Sequence, residues 1–152
     1  MTGLIVPTAD DMRALGARVA DMLRPGDLLV LTGGLGAGKT TFVQGLGVGL
    51  GVTTPVVSPT FVIARVHRDG RIPLVHVDAY RLGSVDEVDD LDLDAAIEDS
   101  VTVVEWGEGL VEDLAADRLE IRLERSADTA DETRKVTLTG VGARWATADL
   151  PS

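Results

Sequence analysis

The chain has 152 residues, of which 45% are hydrophobic, so it has the size and apolar content of one globular domain. It contains no cysteine, which excludes disulfides and thiolate metal sites. We expect a soluble, cytoplasmic protein, because the N-terminus lacks the basic and apolar runs of a secretion signal and no segment approaches the roughly 18 apolar residues of a membrane span. The net charge of −11, with only two lysines, argues against autonomous nucleic-acid binding.

The first third of the sequence predicts a strand, a helix and a second strand. Residues 4–6 form a short apolar run, and Thr8 then has the character of a helix cap. Pro25-Gly26-Asp27 ends the helix, and the continuous apolar run 28–31 predicts a strand covered on both faces. Apolar residues recur at helical spacing in between, at Met12, Leu15, Val19, Met22 and Leu23.

A second helix is predicted over residues 40–50, although it is rich in glycine. Each interior glycine costs roughly 1 kcal/mol relative to alanine. Close packing against the sheet or a neighbouring loop would be a reason to tolerate them. The glycines are Gly45, Gly47, Gly49 and, just beyond, Gly51.

The remainder predicts mainly strands. Residues 61–68 and 72–78 read as a hairpin around the turn Asp69-Gly70, and residues 101–104 as a buried strand. Ser84 and Glu87 have capping-box spacing and predict a short acidic helix. Two final strands are expected around the polar loop 126–133. This order favours one α/β domain over residues 1–142, a three-layer P-loop NTPase type with a largely parallel central sheet and antiparallel additions. We expect a loosely held tail over residues 143–152.

The segment between the run 28–31 and the second helix matches the phosphate-loop pattern G-x-x-x-x-G-K-[ST]. Glycines let successive backbone N–H groups point into one anion-binding hollow, and the helix start adds partial positive charge. Lys39 supplies a point charge for the β- and γ-phosphates, Thr40 a hydroxyl for magnesium, and Thr41 should reach the α-phosphate side. The motif therefore predicts binding of a magnesium–nucleoside triphosphate. It comprises Gly33, Gly34, Leu35, Gly36, Ala37, Gly38, Lys39 and Thr40.

Hydrolysis would also need a carboxylate that holds magnesium or orients water. Asp78 and Glu105 qualify, because each ends an apolar strand and ligands of open α/β sheets bind at the carboxyl ends of strands. His76 could shuttle protons, although a histidine on an apolar strand is more often simply packed. Trp106 could stack near the nucleotide or on a partner, or belong to the core.

Four motifs follow one another along the chain: the phosphate loop with Thr41-Phe42, Ser58-Pro59-Thr60-Phe61, His76-Val77-Asp78-Ala79-Tyr80-Arg81-Leu82 and Val104-Glu105-Trp106. Together they resemble the TsaE family, formerly called YjeE, the tRNA threonylcarbamoyladenosine biosynthesis ATPase. The resemblance covers about residues 4 to 140. Gly34 departs from it, since the family commonly carries an acidic residue at this variable position.

The resemblance implies an ATPase, weak alone, that acts with TsaB and TsaD in forming threonylcarbamoyladenosine beside the anticodon of tRNAs reading ANN codons. Thr40 and Glu105 would ligate magnesium, and Asp78 would be a catalytic carboxylate or support the metal indirectly. The tRNA would be held by the partners, which agrees with the acidic charge. Further nucleotide contacts are implied for Ser58 and Thr60 as a γ-phosphate switch and for Trp106, with Thr8 and Arg134 as additional candidates.

Three other kinds of protein also carry a phosphate loop of this pattern and are alternatives to this function. A GTPase would read guanine through an N-K-x-D motif, which is impossible here because the chain has no asparagine. A small-molecule P-loop kinase stays open, with Arg65, Arg68 and Arg81 in acceptor or lid roles, although the hairpin 61–78 leaves little chain for a separate lid. A nucleotide-gated assembly adaptor, in which hydrolysis is incidental, also stays open.

Overall fold

A computed structural model of the chain describes residues 2–33, 37–53, 56, 64–78, 99–105, 117–125 and 132–151. Within these ranges the elements follow one another in an alternating β and α order with a run of strands at the end. They are β1 (Thr2–Val6), α1 (Ala9–Ala20), β2 (Leu28–Gly33), α2 (Lys39–Leu50), β3 (Ala64–His67), β4 (Leu74–Asp78), β5 (Val101–Glu105), β6 (Arg118–Arg125), β7 (Arg134–Val141) and a 3-10 turn (Ala143–Trp145).

The described strands form one sheet in the order β1-β7-β6-β2-β5-β4-β3. The central strands β6, β2, β5 and β4 are parallel to one another, whereas β7 runs antiparallel to β6 and β1, and β3 antiparallel to β4. The prediction of a mixed α/β domain with a parallel centre and antiparallel additions is confirmed. The acidic helix predicted from Ser84, on which a third layer would depend, lies outside the described residues.

Helices α1 and α2 pack on one face of this sheet and on each other. Strand residues with side chains on that face, such as Leu29, Leu31 and Ile121, join the helices in one apolar core. The opposite face of β2 is also buried at Leu28 and Val30, so the prediction of a strand covered on both faces is confirmed. None of the described helices has both the length and the apolar character needed to span a bilayer.

The start of α1 follows the predicted capping chemistry. Thr8 has extended backbone angles, and its hydroxyl accepts a hydrogen bond from the Asp11 backbone N–H at 3.1 Å. The acidic side chains of Asp10 and Asp11 lie in the first turn, where they oppose the positive end of the helix dipole. The predicted helix and its N-terminal cap are therefore confirmed.

The glycines of α2 are explained by the close approach of α1. A β-carbon on Gly49 would lie 2.5 Å from the β-carbon of Ala20, and one on Gly45 would overlap the backbone of Arg13. Gly47 instead faces Val56, which lies beyond the helix in the following segment. The main packing partner of the glycines is thus the other helix, which the sequence analysis did not consider, and a loop residue accounts for one position.

The β3–β4 hairpin is present, but its connection is longer than the two residues Asp69-Gly70 would give. His67 pairs with Leu74, so six residues separate the paired ends. The connection bonds to the end of α2 instead of closing on itself: the Arg71 backbone N–H donates to the Leu50 carbonyl at 2.7 Å, and the Asp69 carboxylate accepts from the Thr53 backbone N–H at 2.8 Å. The predicted strand residues 61–63 lie outside the described ranges.

Residues 143–151 pack against the domain, in contrast to the expected loose tail. Trp145 is buried, and the Arg144 guanidinium lies 4.2 Å from the centre of its ring. The same guanidinium bonds both carboxylate oxygens of Asp27 and the Met22 carbonyl, at 2.7–3.1 Å. The partners of Arg144 lie more than a hundred positions earlier in the chain, and sequence pattern alone does not reveal them.

Candidate functional site

The candidate site lies at the carboxyl edge of the parallel strands. Because β2, β5 and β4 run in the same direction, their final residues end at the same edge. Leu31 pairs with Glu105, and Glu105 pairs with Asp78, so the two carboxylate residues singled out in the sequence stand side by side on adjacent strands. Two residues beyond Leu31, Gly33 ends the strand that leads into the glycine-rich loop.

The helix after this loop begins at a glycine. Gly38 is the N-cap of α2 and has a φ of 103°, in the left-handed region that favours glycine. As a glycine it makes no side-chain capping hydrogen bond to the first N–H groups of the helix. The start of α2 is thus an uncapped helix N-terminus with partial positive charge, which suits an anion. Residues Gly34, Leu35 and Gly36 lie outside the described ranges, while Ala37 is described and buried.

Lys39, the first residue of α2, is 9% exposed. Its Nζ donates to the Gly33 carbonyl at 2.8 Å, across the base of the loop. Lysine is rarely buried to this extent without a compensating partner. The bond spans the two ends of the loop and holds an ammonium group at the edge of the sheet where the strands end.

Glu105 is 3% exposed at the end of β5. Its Oε1 lies 3.4 Å from Nε2 of His76, which is fully buried. Oε1 has no hydrogen-bond partner among the described residues. A buried carboxylate oxygen in this condition, at the edge of the sheet where the ammonium of Lys39 also lies, has the capacity to accept from a donor or bind a cation.

Thr8 and Arg134, the two additional candidates, line one pocket with residues of the phosphate-loop helix. The pocket has a volume of about 130 Å³ and is also lined by Gly38 and Thr41. Two of its other residues, Met12 and Glu132, were missed as site residues. Met12 was assigned to the core from its helical spacing, and it is indeed only 2% exposed. Glu132 fell in a polar loop, where a single carboxylate carries no signal. The pocket forms only because α1 and the start of β7 meet beside α2.

Several predicted site residues stay predictions. Ser58, Thr60 and Trp106 lie outside the described residues, as does the side chain of Asp78. Thr40 and Thr41 occupy the first turn of α2 and are half-buried. The described structure therefore brings together Gly33, Ala37, Gly38, Lys39, Thr40, Thr41 and Glu105 at the carboxyl edge, with Thr8 and Arg134 beside the helix start.

The donor set at this edge fits a hard divalent cation. Magnesium prefers oxygen ligands and is commonly bound by one or two carboxylates together with substrate phosphates. The Thr40 hydroxyl and the Glu105 carboxylate are of this kind, and none of the described residues makes a hydrogen bond to Oε1 of Glu105, so the protein does not use the full bonding capacity of this carboxylate. These residues thus fit the group that the sequence motif implies.

Comparison with known proteins gives the chain a family. Residues 6–136 match the model of the family described as threonylcarbamoyl adenosine biosynthesis protein TsaE. The chain is 65% identical over 144 residues to the tRNA threonylcarbamoyladenosine biosynthesis protein TsaE of Streptomyces coelicolor, with 91% of this chain and 97% of the relative covered. It is 42% identical to the protein of that name in Bacillus subtilis, with 90% and 84% covered.

A solved structure agrees with this assignment. The crystal structure of Bacillus subtilis YdiB superimposes with a TM-score of 0.77 at 35% identity, covering 95% of this chain and 88% of that one. The resemblance inferred from four sequence motifs is thereby confirmed over most of the chain. The chain belongs to the TsaE family, which is involved in tRNA threonylcarbamoyladenosine biosynthesis.

Proposed function

We propose that this protein binds ATP with Mg²⁺ at the carboxyl edge of its sheet and hydrolyses it in support of threonylcarbamoyladenosine formation, acting in the cytoplasm with TsaB and TsaD. The observation that carries the proposal is the buried Lys39 ammonium, held 2.8 Å from the Gly33 carbonyl at an uncapped helix N-terminus. Positive charge and the backbone N–H groups of a helix start at one place suit a polyphosphate.

Each described residue has a specific task in this proposal. The N–H groups at the start of α2 donate to phosphate oxygens, and the Lys39 ammonium exchanges its bond to Gly33 for the β- and γ-phosphates. Gly33 lets β2 approach β6 closely where the loop begins, since a β-carbon there would lie 2.8 Å from the Leu123 carbonyl oxygen. Thr41 reaches the α-phosphate side.

Thr40 and Glu105 would hold the magnesium ion, which when bound neutralises charge on the β- and γ-phosphate oxygens. Asp78, adjacent to Glu105 in register, orients the attacking water or supports the metal ligands. The parallel pairing of β4 and β5 supports this role, because it puts the backbone of Asp78 at the same edge of the sheet as Glu105.

The pocket beside α2 offers a place for the nucleoside. It adjoins Gly38 and Thr41, so a nucleotide anchored on the loop can extend toward it. At about 130 Å³ it is smaller than the roughly 300–1,000 Å³ of pockets that enclose a whole ligand. Thr8 and Arg134 supply polar groups and Met12 an apolar surface, a combination suited to a base and its ribose.

The partner proposal follows from charge and family. With a net charge of −11 and two lysines, the chain lacks the basic surface that holds tRNA, so contact with tRNA is indirect through TsaB and TsaD. Ser58 and Thr60 report the γ-phosphate to the partner surface, and Trp106 lies beside the nucleotide. ATP turnover is weak for the isolated protein and rises when the partners dock.

Isothermal calorimetry with ATP and Mg²⁺ tests the site assignment. Lys39→Ala should weaken binding by at least about 30-fold, because removing one charged partner from a buried contact costs about 2–5 kcal/mol. Lys135→Ala is the matched control: it removes the only other lysine, which is exposed on β7, and should leave the affinity unchanged. Circular dichroism should show both variants folded. Wild-type affinity in folded Lys39→Ala would refute the site.

An ATPase assay with and without TsaB–TsaD tests the functional assignment. Stimulated release of phosphate is the expected result. Transfer of phosphate from ATP to a small-molecule acceptor by the isolated protein would favour the kinase alternative. Normal tRNA modification by a variant that binds ATP without hydrolysing it would favour the adaptor.

A further inference from the structure

His76 and Glu105 meet because of the register of two parallel strands. His76 on β4 pairs with Val103 on β5, and Glu105 follows Val103 by two residues, so its side chain lies on the same face. Diagonal neighbours of this kind are within reach of long side chains. The observed separation between His76 Nε2 and Glu105 Oε1 is 3.4 Å.

Both groups are buried and poorly satisfied. His76 is 0% exposed and Glu105 is 3% exposed. Neither imidazole nitrogen of His76 has a hydrogen-bond partner among the described residues, and the same holds for Oε1 of Glu105. A buried polar atom left without a partner costs about 1–3 kcal/mol. Nε2 of His76 and Oε1 of Glu105 could satisfy each other, because a shift of roughly half an ångström would bring them to ordinary hydrogen-bond distance.

We propose that His76 is the positioning residue of Glu105: its Nε2–H donates to Oε1 and fixes the carboxylate in the orientation that leaves its second oxygen for the metal ion. This inference rests on the proposed function for the identity of the metal–nucleotide ligand. The pairing itself requires only the two side chains. A metal-ligating carboxylate is commonly oriented by such a partner.

Simple packing is the competing explanation, since His76 lies between Val75 and Val77 on a buried strand. An apolar side chain of similar volume would fill the same space without burying two ring nitrogens. The two explanations differ in which property of the side chain at position 76 matters. Packing depends on the volume of the side chain, whereas positioning depends on a donor at the place of Nε2.

Binding of Mn²⁺ in the presence of a non-hydrolysable ATP analogue, followed by electron paramagnetic resonance, distinguishes them. His76→Leu removes the donor and keeps most of the volume, and it should weaken Mn²⁺ binding by about 10- to 100-fold. His76→Gln places an amide donor near the position of Nε2 and should restore most of the affinity. Binding of the analogue without metal should be unchanged in both variants, because the phosphate-loop contacts are untouched.

A matched control addresses loss of a buried polar side chain as such. Thr102 lies on the same strand as Glu105, is fully buried, and its hydroxyl has no partner among the described residues. Thr102→Val should leave Mn²⁺ affinity at the wild-type value. If folded His76→Leu also retained wild-type affinity, or if His76→Gln lost as much as His76→Leu, the positioning role would be refuted.

Nitrogen NMR of wild-type protein labelled at histidine tests the pairing without a binding measurement. The chain has two histidines, so comparison with His76→Gln assigns the signals. Neutral His76 should carry its proton on Nε2, and a proton on Nδ1 would overturn the proposal. If wild-type protein bound no Mn²⁺–nucleotide at all, the proposed function would fail, while the tautomer would still decide the pairing.

Discussion

Two buried carboxylates at opposite edges of the sheet have very different surroundings. Asp27 immediately precedes β2, is 6% exposed, and accepts from the Arg144 guanidinium at both oxygens and from the Arg24 backbone N–H. Glu105 ends β5 and is 3% exposed, but among the described residues its Oε1 has no hydrogen-bond partner and lies 3.4 Å from His76 Nε2. The described residues donate hydrogen bonds to both oxygens of Asp27, but they donate none to Oε1 of Glu105.

The difference separates stability from function. The hydrogen bonds of Asp27 offset the cost of removing its carboxylate from water. Through Arg144 they connect the 3-10 turn to the start of β2 and to the segment after α1. A buried carboxylate oxygen without a hydrogen bond costs free energy, which a nearby donor or a bound cation can recover. Asp27 lies at the amino edge of the parallel strands, and Glu105 lies at the carboxyl edge, where ligands of α/β sheets bind.

The largest effect is expected from Glu105→Gln. This change keeps the shape of the side chain and removes the charge that would hold magnesium, so Mg²⁺-dependent ATP turnover should fall by about 100-fold or more. Stability should change by less than about 1 kcal/mol, because a poorly paired buried charge contributes little to folding. Turnover assays and urea unfolding measure the two quantities. A large loss of stability with turnover retained would reverse the assignment of this carboxylate.

Asp27→Asn makes the same chemical change at the other edge and should have the opposite outcome. The substitution leaves Arg144 with a neutral partner in a largely buried place, at a cost of about 3 kcal/mol in the free energy of unfolding. The affinity for ATP should be unchanged, since Asp27 lies at the end of β2 away from the phosphate loop. Equal stability of this variant and wild type in urea unfolding would show that the contacts of Asp27 do not support the fold.

Gly49→Ala should have a smaller effect on stability. It tests the packing of α1 against α2, the helix that follows the glycine-rich loop. The added methyl group would lie 2.5 Å from the Ala20 β-carbon, so α1 and α2 must separate slightly, at a net cost of about 1–2 kcal/mol after the gain in helix propensity. Gly3→Ala is the control, because nothing lies within 4 Å of the new group. If urea unfolding showed Gly49→Ala to be more stable than the wild type, α1 and α2 would not be as closely packed as this distance indicates.

Much of the architecture could be read from local pattern. The cap at Thr8, the apolar run 28–31 and the glycine at position 38 each satisfy a local physical requirement: a first-turn N–H needs an acceptor, a doubly covered strand needs continuous apolar residues, and a positive φ needs glycine. Such requirements involve residues close in sequence, so they are visible without the fold. The family resemblance also rested on local motifs.

The hairpin connection shows where local reading fails. Asp69-Gly70 has the composition of a two-residue turn. However, Asp69 accepts a hydrogen bond from Thr53, and Arg71 donates one to Leu50 at the end of α2. The free energy of those distant contacts outweighs the local turn preference. The same reason explains Arg144, whose partners Asp27 and Met22 lie far away in the sequence.

The sequence by itself predicts the class of site, because the phosphate-loop pattern is one contiguous segment whose glycines, lysine and threonine lie within eight residues. The tertiary structure decided which other residues join it. The parallel register of β4 and β5 brings His76 to Glu105, and the meeting of α1 with β7 brings Thr8 to Arg134. These contacts depend on the pairing of segments many residues apart, which only the packed sheet and helices determine.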